Sequence, residues 1–216
     1  MRDLFATPHP NGERLDLVDA DVVFASTFLS STEALDLFSE LREATPWKAI
    51  EISLWGKRVV QPRLICWYGD PGASYKYSGV RLYPEPWTQT LLLLRNSIER
   101  FAGASFNSVL MNLYRDENDS VGWHSDDEPD LGERPTLASL SLGETRAFLM
   151  RHKPKADVAQ IKLPLPSGSL LVMSGETQRH WAHAIRKEPV RLGPRINLTF
   201  RQVVSGKHAN AKRANR

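Results

Sequence analysis

From Phe106 onward the chain is a succession of short β-rich runs, and this restricts its fold more than any other feature. "FNSVLMNLY", "TLASLSLG", "RAFLMRH", "AQIKLPLP", "GSLLVMS", "HWAHAIR" and "PRINLTFRQVV" are separated by turn residues, with no convincing amphipathic helix between them. Many short strands at fairly even spacing form an antiparallel sandwich or barrel. Upstream of Gly103 the pattern is helical. In "SSTEALDLFSELREATP", Ser30 and Glu33 have capping-box spacing, apolar residues recur at Leu35, Phe38 and Leu41, and Pro46 ends the segment. A second helix is predicted from about Pro86 to Phe101, with Leu91, Leu94, Ile98 and Phe101 on one side and Gly103 closing it. The expected fold is α+β, mainly β: helices first, then a β-sandwich of jelly-roll type.

A length of 216 residues suits one domain with a substantial core, and 41% hydrophobic with 25% charged residues is ordinary for a soluble globular chain. The first twenty or so residues, with Pro8, Pro10 and Gly12, read as an irregular arm. From Gln202 to Arg216 there is no acidic residue, while Lys207, Lys212, Arg213 and Arg216 are basic, so residues 205–216 read as a flexible tail able to touch a polyanion. The single cysteine, Cys66, excludes an intramolecular disulfide framework and a thiolate-rich zinc site. The N-terminal stretch lacks the apolar core of a signal peptide, and the longest aliphatic run, Leu91 to Leu94, is too short to cross a bilayer. A cytoplasmic, monomeric protein without membrane contact is expected.

The last predicted strand carries chemistry on one face. In "PRINLTFR", Ile196, Leu198 and Phe200 alternate with Arg195, Asn197, Thr199 and Arg201, so a period of two separates an apolar face from a polar one. A solvent-facing strand has the same pattern, but two arginines in such a row also suit bidentate binding of a carboxylate. Asn112 and Tyr114 share a face of another strand, and ten residues after Tyr114 comes His124, with Asp126 two further on. Extended backbone aims positions i and i+2 the same way, so an imidazole and a carboxylate can meet one ion; a helix would separate them by about 200°. Of the six histidines, His9 and His208 lie near the ends and His152 in a basic loop, leaving His183 or His180 as a third ligand. Two His and one carboxylate on one face of a metal is the facial arrangement of non-haem Fe(II) oxygenases, whose open positions take a co-substrate and O2.

Further motifs carry a resemblance. "NLYRDENDSVGWHSDDEPDLG", "ASLSLG", "FLMRHK", "LPLPSGSLLVMSG", "HWAH" and "PRINLTFR", with "QPRLICWYGD", "YKYSG" and "PEPW" upstream, resemble the AlkB-like Fe(II)/2-oxoglutarate-dependent dioxygenases. The branch most similar contains the human DNA-repair homologues two and three, and the resemblance covers about Leu54 to Val203. It implies a double-stranded β-helix within a single domain over residues 21–204: a helical and nucleotide-recognition part to about 103, and a jelly-roll core from about 104. It implies His124, Asp126 and His183 as iron ligands, with His183 in the family position twelve residues before Arg195. Asn112, Tyr114, Arg195, Asn197, Thr199 and Arg201 match the 2-oxoglutarate-binding set, Arg201 being expected on the distal carboxylate with Tyr114 and Arg195 assisting. Asp127 and Glu128 match residues that contact the exocyclic amino group of a damaged base, and Tyr75 and Tyr77 match an aromatic lid over it. Trp55 takes the place of the finger that fills the gap left by an extruded base, with Lys57, Arg58 and Arg63 as phosphate contacts beside it. The finger is Trp where a smaller aromatic is expected, and the "HSDDE" spacing follows the human-type branch.

The implied activity is oxidative demethylation of N-alkylated bases such as 1-methyladenine and 3-methylcytosine in DNA, using Fe(II), 2-oxoglutarate and O2 and releasing formaldehyde, succinate and CO2. The alternatives are the same chemistry on RNA, protein or a metabolite, and a nucleic-acid-binding β-domain without catalysis. A pure binder needs neither a metal trio nor two arginines on one polar strand face. The arginine pair also speaks against a zinc-loaded hydrolase.

Overall fold

The computed structural model describes the backbone of residues 12–54, 57–71, 73, 75–77, 80–82 and 84–204, and their side chains except at 52–54, 57, 75–77 and 80–82. In chain order the elements are β1 (Glu13–Leu15), β2 (Asp21–Ala25), α1 (Ser31–Ala44), β3 (Lys48–Leu54), β4 (Lys57–Gly69), β5 (Tyr75–Tyr77), β6 (Val80–Leu82) and α2 (Gln89–Ala102). Then follow β7 (Ser108–Tyr114), β8 (Val121–His124), a 3-10 turn (Pro129–Leu131), β9 (Leu137–Gly143), β10 (Arg146–His152), β11 (Ile161–Leu165), β12 (Leu170–Ser174), the single turn α3 (Thr177–His180), β13 (Trp181–Ile185) and β14 (Arg195–Arg201).

Among the described residues the strands form an eight-stranded sheet in the order β1-β2-β12-β9-β14-β7-β4-β3, a four-stranded sheet in the order β11-β10-β13-β8, and the β5–β6 pair. All neighbours in both larger sheets are antiparallel. The two sheets face each other as a double-stranded β-helix, a jelly roll. The seven β-rich runs of the sequence supply β7 and β9 to β14. The helix-first half also contributes strands: β2 pairs with β12 and the long β4 pairs with β7, widening the large sheet at both sides. Residues 13–15, expected in an irregular arm, are strand β1, because pairing with Val22 to Phe24 satisfies backbone that local sequence alone leaves open.

The helices cover one face of the large sheet. Ser30 caps α1 with the expected box, its hydroxyl accepting from Glu33 N while the Glu33 carboxylate accepts from Ser30 N. The face turned inward is Ala34, Leu37 and Leu41, and Leu35 is 63% exposed, against the sequence expectation. Ala34 lets the helix approach closely: the backbone of Gly168, at φ 82, leaves only 3.4 Å between a Cβ built on it and the Ala34 Cβ. Each fully buried leucine here contributes about 1.5–3 kcal/mol. α2 begins at Gln89 rather than Pro86, because Thr88 is its cap and accepts from Leu91 N; Gly103, left-handed at φ 61, closes it. Leu91, Leu94 and Ile98 pack with Met111, Leu140, Leu198 and Phe200 from the large sheet. A second cluster lies between the sheets and includes Phe148, Met150, Met173, Trp181 and Ile185.

β14 is central in the large sheet and buried on both faces. Its apolar side enters the helix-packed core and its polar side faces the smaller sheet. The register sets Tyr114 opposite Arg195, Asn112 opposite Asn197 and Ser108 opposite Arg201, so the polar residues of β7 and β14 form one wall.

The turn from β7 to β8 is pinned by Asp119, which is 3% exposed. Its carboxylate accepts from Arg115 N (2.9 Å), Nε (2.8 Å) and Nη2 (2.8 Å). Burial pushes the Asp119 carboxyl up, but these bonds and the Arg146 charge outweigh it and hold it below its ordinary value. A depressed carboxyl stabilises the fold above its unfolded pKa of about 3.9 and loses that contribution as pH falls through the folded value. Asp119→Asn is therefore expected to destabilise the chain by about 1–3 kcal/mol at neutral pH. Denaturant melts should show the deficit shrinking once the pH drops below about 4.

Candidate metal centre and its cavity

β8 and β13 pair so that His124 stands directly opposite His183. Their rings meet edge to face at 4.3 Å between centroids, and Phe148 stacks on His183 at 5.2 Å. Asp126 lies just past β8, with its Oδ2 3.8 Å from His183 Nε2. Ligand-capable atoms of His124, Asp126 and His183 all lie within 4.8 Å of one another.

Protonation suits cation binding. His124 Nδ1 lies 2.8 Å from the Gly122 carbonyl and donates to it, leaving the Nε2 lone pair for a metal. Burial, then the neighbouring His124, pushes the His183 pKa down to about 3, so its imidazole is neutral at physiological pH. Burial pushes the Asp126 carboxyl up, but the Arg201 guanidinium and the two imidazoles outweigh this and keep it below its ordinary value. Arg201 Nη2 donates to Asp126 Oδ1 at 2.6 Å, which leaves Oδ2 turned toward His183. Two imidazole nitrogens and one carboxylate oxygen are a donor set for a divalent transition metal.

A second trio, Asp19, His152 and His180, meets the same spacing and does not fit a cation. Lys155 N–H donates to His152 Nδ1 at 3.1 Å, so the ring proton belongs on Nε2, which faces Asp19 Oδ2 at 3.2 Å. The same oxygen accepts from Lys155 Nζ at 2.7 Å. A metal placed there would meet an N–H and an ammonium group. The trio instead ties the turn at Asp19, which is left-handed at φ 55, to β10 and α3. His180 belongs to this group, and His183 stands with His124 and Asp126.

The three predicted metal ligands and the six residues of the predicted 2-oxoglutarate set line one cavity between the sheets. Asn197 organises its floor: Nδ2 donates to Ser139 Oγ (2.8 Å), and Oδ1 accepts from Thr199 Oγ1 (3.0 Å) and Asn112 Nδ2 (3.3 Å). Arg195 is 1% exposed and lies over the Tyr114 ring, its guanidinium carbon 5.2 Å from the centroid. Its Nη2 donates to Ser141 Oγ at 2.8 Å, while Nε and Nη1 have no hydrogen-bond partner. Burial lowers its pKa to about 10, with Tyr114 opposing the shift, so the group remains a cation. It forms no ion pair among the described residues. A buried cation with two donors unused is a receptor for an anion.

Several predicted residues stand elsewhere. Arg63, expected on phosphate, is 5% exposed and donates through Nε to Asn112 Oδ1 at 2.8 Å. Strand alternation puts it on the same side of β4 as Ile65 and Trp67, facing the cavity and not the surface. Arg201, expected on the distal carboxylate, donates to Asp126 through Nη2. Asp127 is exposed and paired with Lys153 at 3.2 Å, and Glu128 Oε2 is buried without a hydrogen-bond partner. Arg58 is exposed, 3.9 Å from Glu51. Trp55 lies outside the described residues, as do the side chains of Lys57, Tyr75 and Tyr77. Sequence reasoning missed Ser141, Phe148 and Met173. Their strand parity marks them as inward-facing, but nothing in their type marks a site.

This fold, with a His-Asp-His cluster beside a buried and partly unbonded arginine, is that of a class of metal-dependent, co-substrate-using oxygenases. The profile of the 2OG-Fe(II) oxygenase superfamily matches residues 21–201, and the chain belongs to that family. It is 47% identical to "Alpha-ketoglutarate-dependent dioxygenase alkB homolog 3" of Bos taurus over 184 residues, 82% of this chain and 64% of the relative. It is 37% identical to human "DNA oxidative demethylase ALKBH2", covering 83% of this chain and 72% of that one. The chain thus spans about 64% of the length of the homologue-3 relatives it matches. Among solved structures, OsALKBH1 superposes with a TM-score of 0.61 over 87% of this chain and 99% of its own, at 18% identity, a likeness of fold.

The two trios make opposite predictions in a Co(II) titration followed by visible absorption. The chain should bind one ion, and Asp126→Ala or His183→Ala should weaken binding beyond the 10- to 100-fold typical of losing a supporting residue. His152→Ala and His180→Ala should leave it unchanged within about threefold, since neither belongs to a set that can accept a cation.

Proposed function

We propose that this chain oxidatively demethylates N-alkylated bases, 1-methyladenine and 3-methylcytosine, in DNA, with 2-oxoglutarate as co-substrate. The observation that carries the reading is the buried Arg195 cation, whose Nε and Nη1 are unused, in the same cavity as His124, Asp126 and His183. The names of the similar proteins, an alpha-ketoglutarate-dependent dioxygenase and a DNA oxidative demethylase, support the co-substrate and the substrate class.

His124, Asp126 and His183 would hold Fe(II), which when bound supplies the redox chemistry that couples oxidative decarboxylation of 2-oxoglutarate to oxidation of the base's N-methyl carbon. Arg195, held by Ser141 and Tyr114, grips the far carboxylate of the co-substrate through its two unused donors. Arg201 keeps Asp126 ionised and turns one carboxylate oxygen toward His183. Asn112, Asn197 and Thr199 hold one another and so fix the polar wall against which the co-substrate lies. Glu128, with one buried oxygen unpartnered, offers an acceptor to the exocyclic amino group of the base, and the Asp127 carboxylate stands beside it. Arg58 remains a phosphate contact in this reading, and Tyr75, Tyr77, Trp55 and Lys57 complete the base and backbone contacts. A base in a duplex must be flipped out, at a cost of a few kcal/mol that is smaller for a methylated base which pairs poorly.

The test is mass spectrometry of an oligonucleotide carrying one 1-methyladenine, incubated with the chain, Fe(II), 2-oxoglutarate and ascorbate. One methyl group should be lost, and omitting 2-oxoglutarate or substituting His124→Ala should abolish the loss. Conversion of 2-oxoglutarate to succinate with the oligonucleotide unchanged would contradict the substrate, and an RNA oligonucleotide run in parallel would show whether the sugar matters. In the same assay Arg195→Met should raise the KM for 2-oxoglutarate by about 10- to 100-fold, the equivalent of about 1.5–3 kcal/mol for hydrogen bonds to a charged group.

A further inference from the structure

Arg201 fixes the side chain of Asp126, but its backbone is fixed by a different residue. Residues 125–128 lie between β8 and the 3-10 turn, outside any strand ladder. The buried Asp126 N–H therefore needs an acceptor from elsewhere. Gln178 provides it, with Oε1 at 3.0 Å. Gln178 is 1% exposed and stands in α3, five residues before His183. Its amide orientation is set from both ends: Oε1 meets an N–H, and Nε2 donates to Met173 Sδ at 3.5 Å. Turned over, the amide would set donor against donor. Two further ties join the same segments: Ser125 Oγ donates to Trp181 O (3.0 Å), and Lys153 Nζ reaches Gln178 O (2.8 Å) and Asp127 Oδ2 (3.2 Å). Of these ties, only the one from Gln178 acts directly on the backbone of Asp126.

We propose that Gln178 is a positioning residue of the metal centre. It couples the segment that carries Asp126 to the turn that leads into His183, and so sets the gap between Asp126 Oδ2 and His183 Nε2, 3.8 Å in this structure. Because Oδ1 is held by Arg201, a backbone rotation at Asp126 moves Oδ2 relative to the imidazole. Removing the acceptor leaves a buried N–H that turns in search of a partner and carries the carboxylate with it. The inference rests on reading His124, Asp126 and His183 as the metal centre.

The experiment is Co(II) titration of the full chain by visible absorption, with melting of the metal-free protein measured alongside. Gln178→Met keeps the volume and removes the acceptor, whereas Gln178→Glu keeps an acceptor at the same reach. Gln178→Met should bind Co(II) about 10- to 100-fold more weakly and with an altered ligand-field spectrum, as is usual for a group that orients a ligand. Gln178→Glu should restore both. If Gln178→Met does not fold, Gln178→Asn, one methylene too short to reach Asp126 N, takes its place with the same expected loss. An affinity and spectrum equal to those of the unaltered chain would overturn the proposal whatever the melting temperature, because a merely structural residue lowers only the latter. Equal losses in Gln178→Met and Gln178→Glu would overturn it as well. Failure of the unaltered chain to bind Co(II) would overturn the metal-centre reading and this inference with it.

Discussion

The contact between Arg201 Nη2 and Asp126 Oδ1, 2.6 Å long and buried on both sides, joins the last strand to the segment that follows β8. Taking two charges out of water costs several kcal/mol per ion, and the attraction offsets this only where geometry and further hydrogen bonds are good. Such a pair is a weak source of stability, but here it does something stability does not require. It keeps a carboxylate ionised inside an apolar sandwich and leaves one of its oxygens facing two imidazoles. The rest of the site depends on that division, since a carboxylate that used both oxygens on Arg201 would have nothing left for a cation.

The same pair separates the work of the two arginines of β14. They sit at opposite ends of a seven-residue strand whose register with β7 places Tyr114 at one end and Ser108 at the other. At the Arg201 end, Nη2 donates to Asp126. The Arg195 end stays cationic and partly unbonded, held by a serine hydroxyl and an aromatic face. One strand thus carries an arginine bonded to Asp126 at one end and a partly unbonded arginine at the other, and its apolar face anchors both to the helix-packed core through Ile196, Leu198 and Phe200.

The legible parts of the sequence were those set by local periodicity. The alternation in "PRINLTFR" marked the two faces of β14, the Ser30–Glu33 spacing marked the start of α1, and the turn-bounded runs marked seven strands of the sandwich. Features set by pairing between distant segments were not legible. The short apolar runs around Val22 and Cys66 do not announce that they extend the large sheet, because nothing local names β12 and β7 as their partners. The inner face of α1 passes through the small Ala34, where size and close approach, not hydrophobicity, choose between candidate stripes. The burial of Arg63 has a sequence signal: it shares parity with Ile65 and Trp67, and a strand that buries those two buries it as well. Which arginine of β14 meets Asp126 is likewise a tertiary fact. Gln178 carried no signal at all, since a glutamine in a polar turn is ordinary until the turn is folded against Asp126.

A crystal structure of the chain with Mn(II) and 2-oxoglutarate would show whether the two arginines of β14 divide their work in this way. The far carboxylate of the co-substrate should lie on Arg195 Nε and Nη1 beside Tyr114, with Arg201 still bonded to Asp126. A far carboxylate on Arg201, or an Asp126 released from Arg201 once the metal is bound, would contradict it.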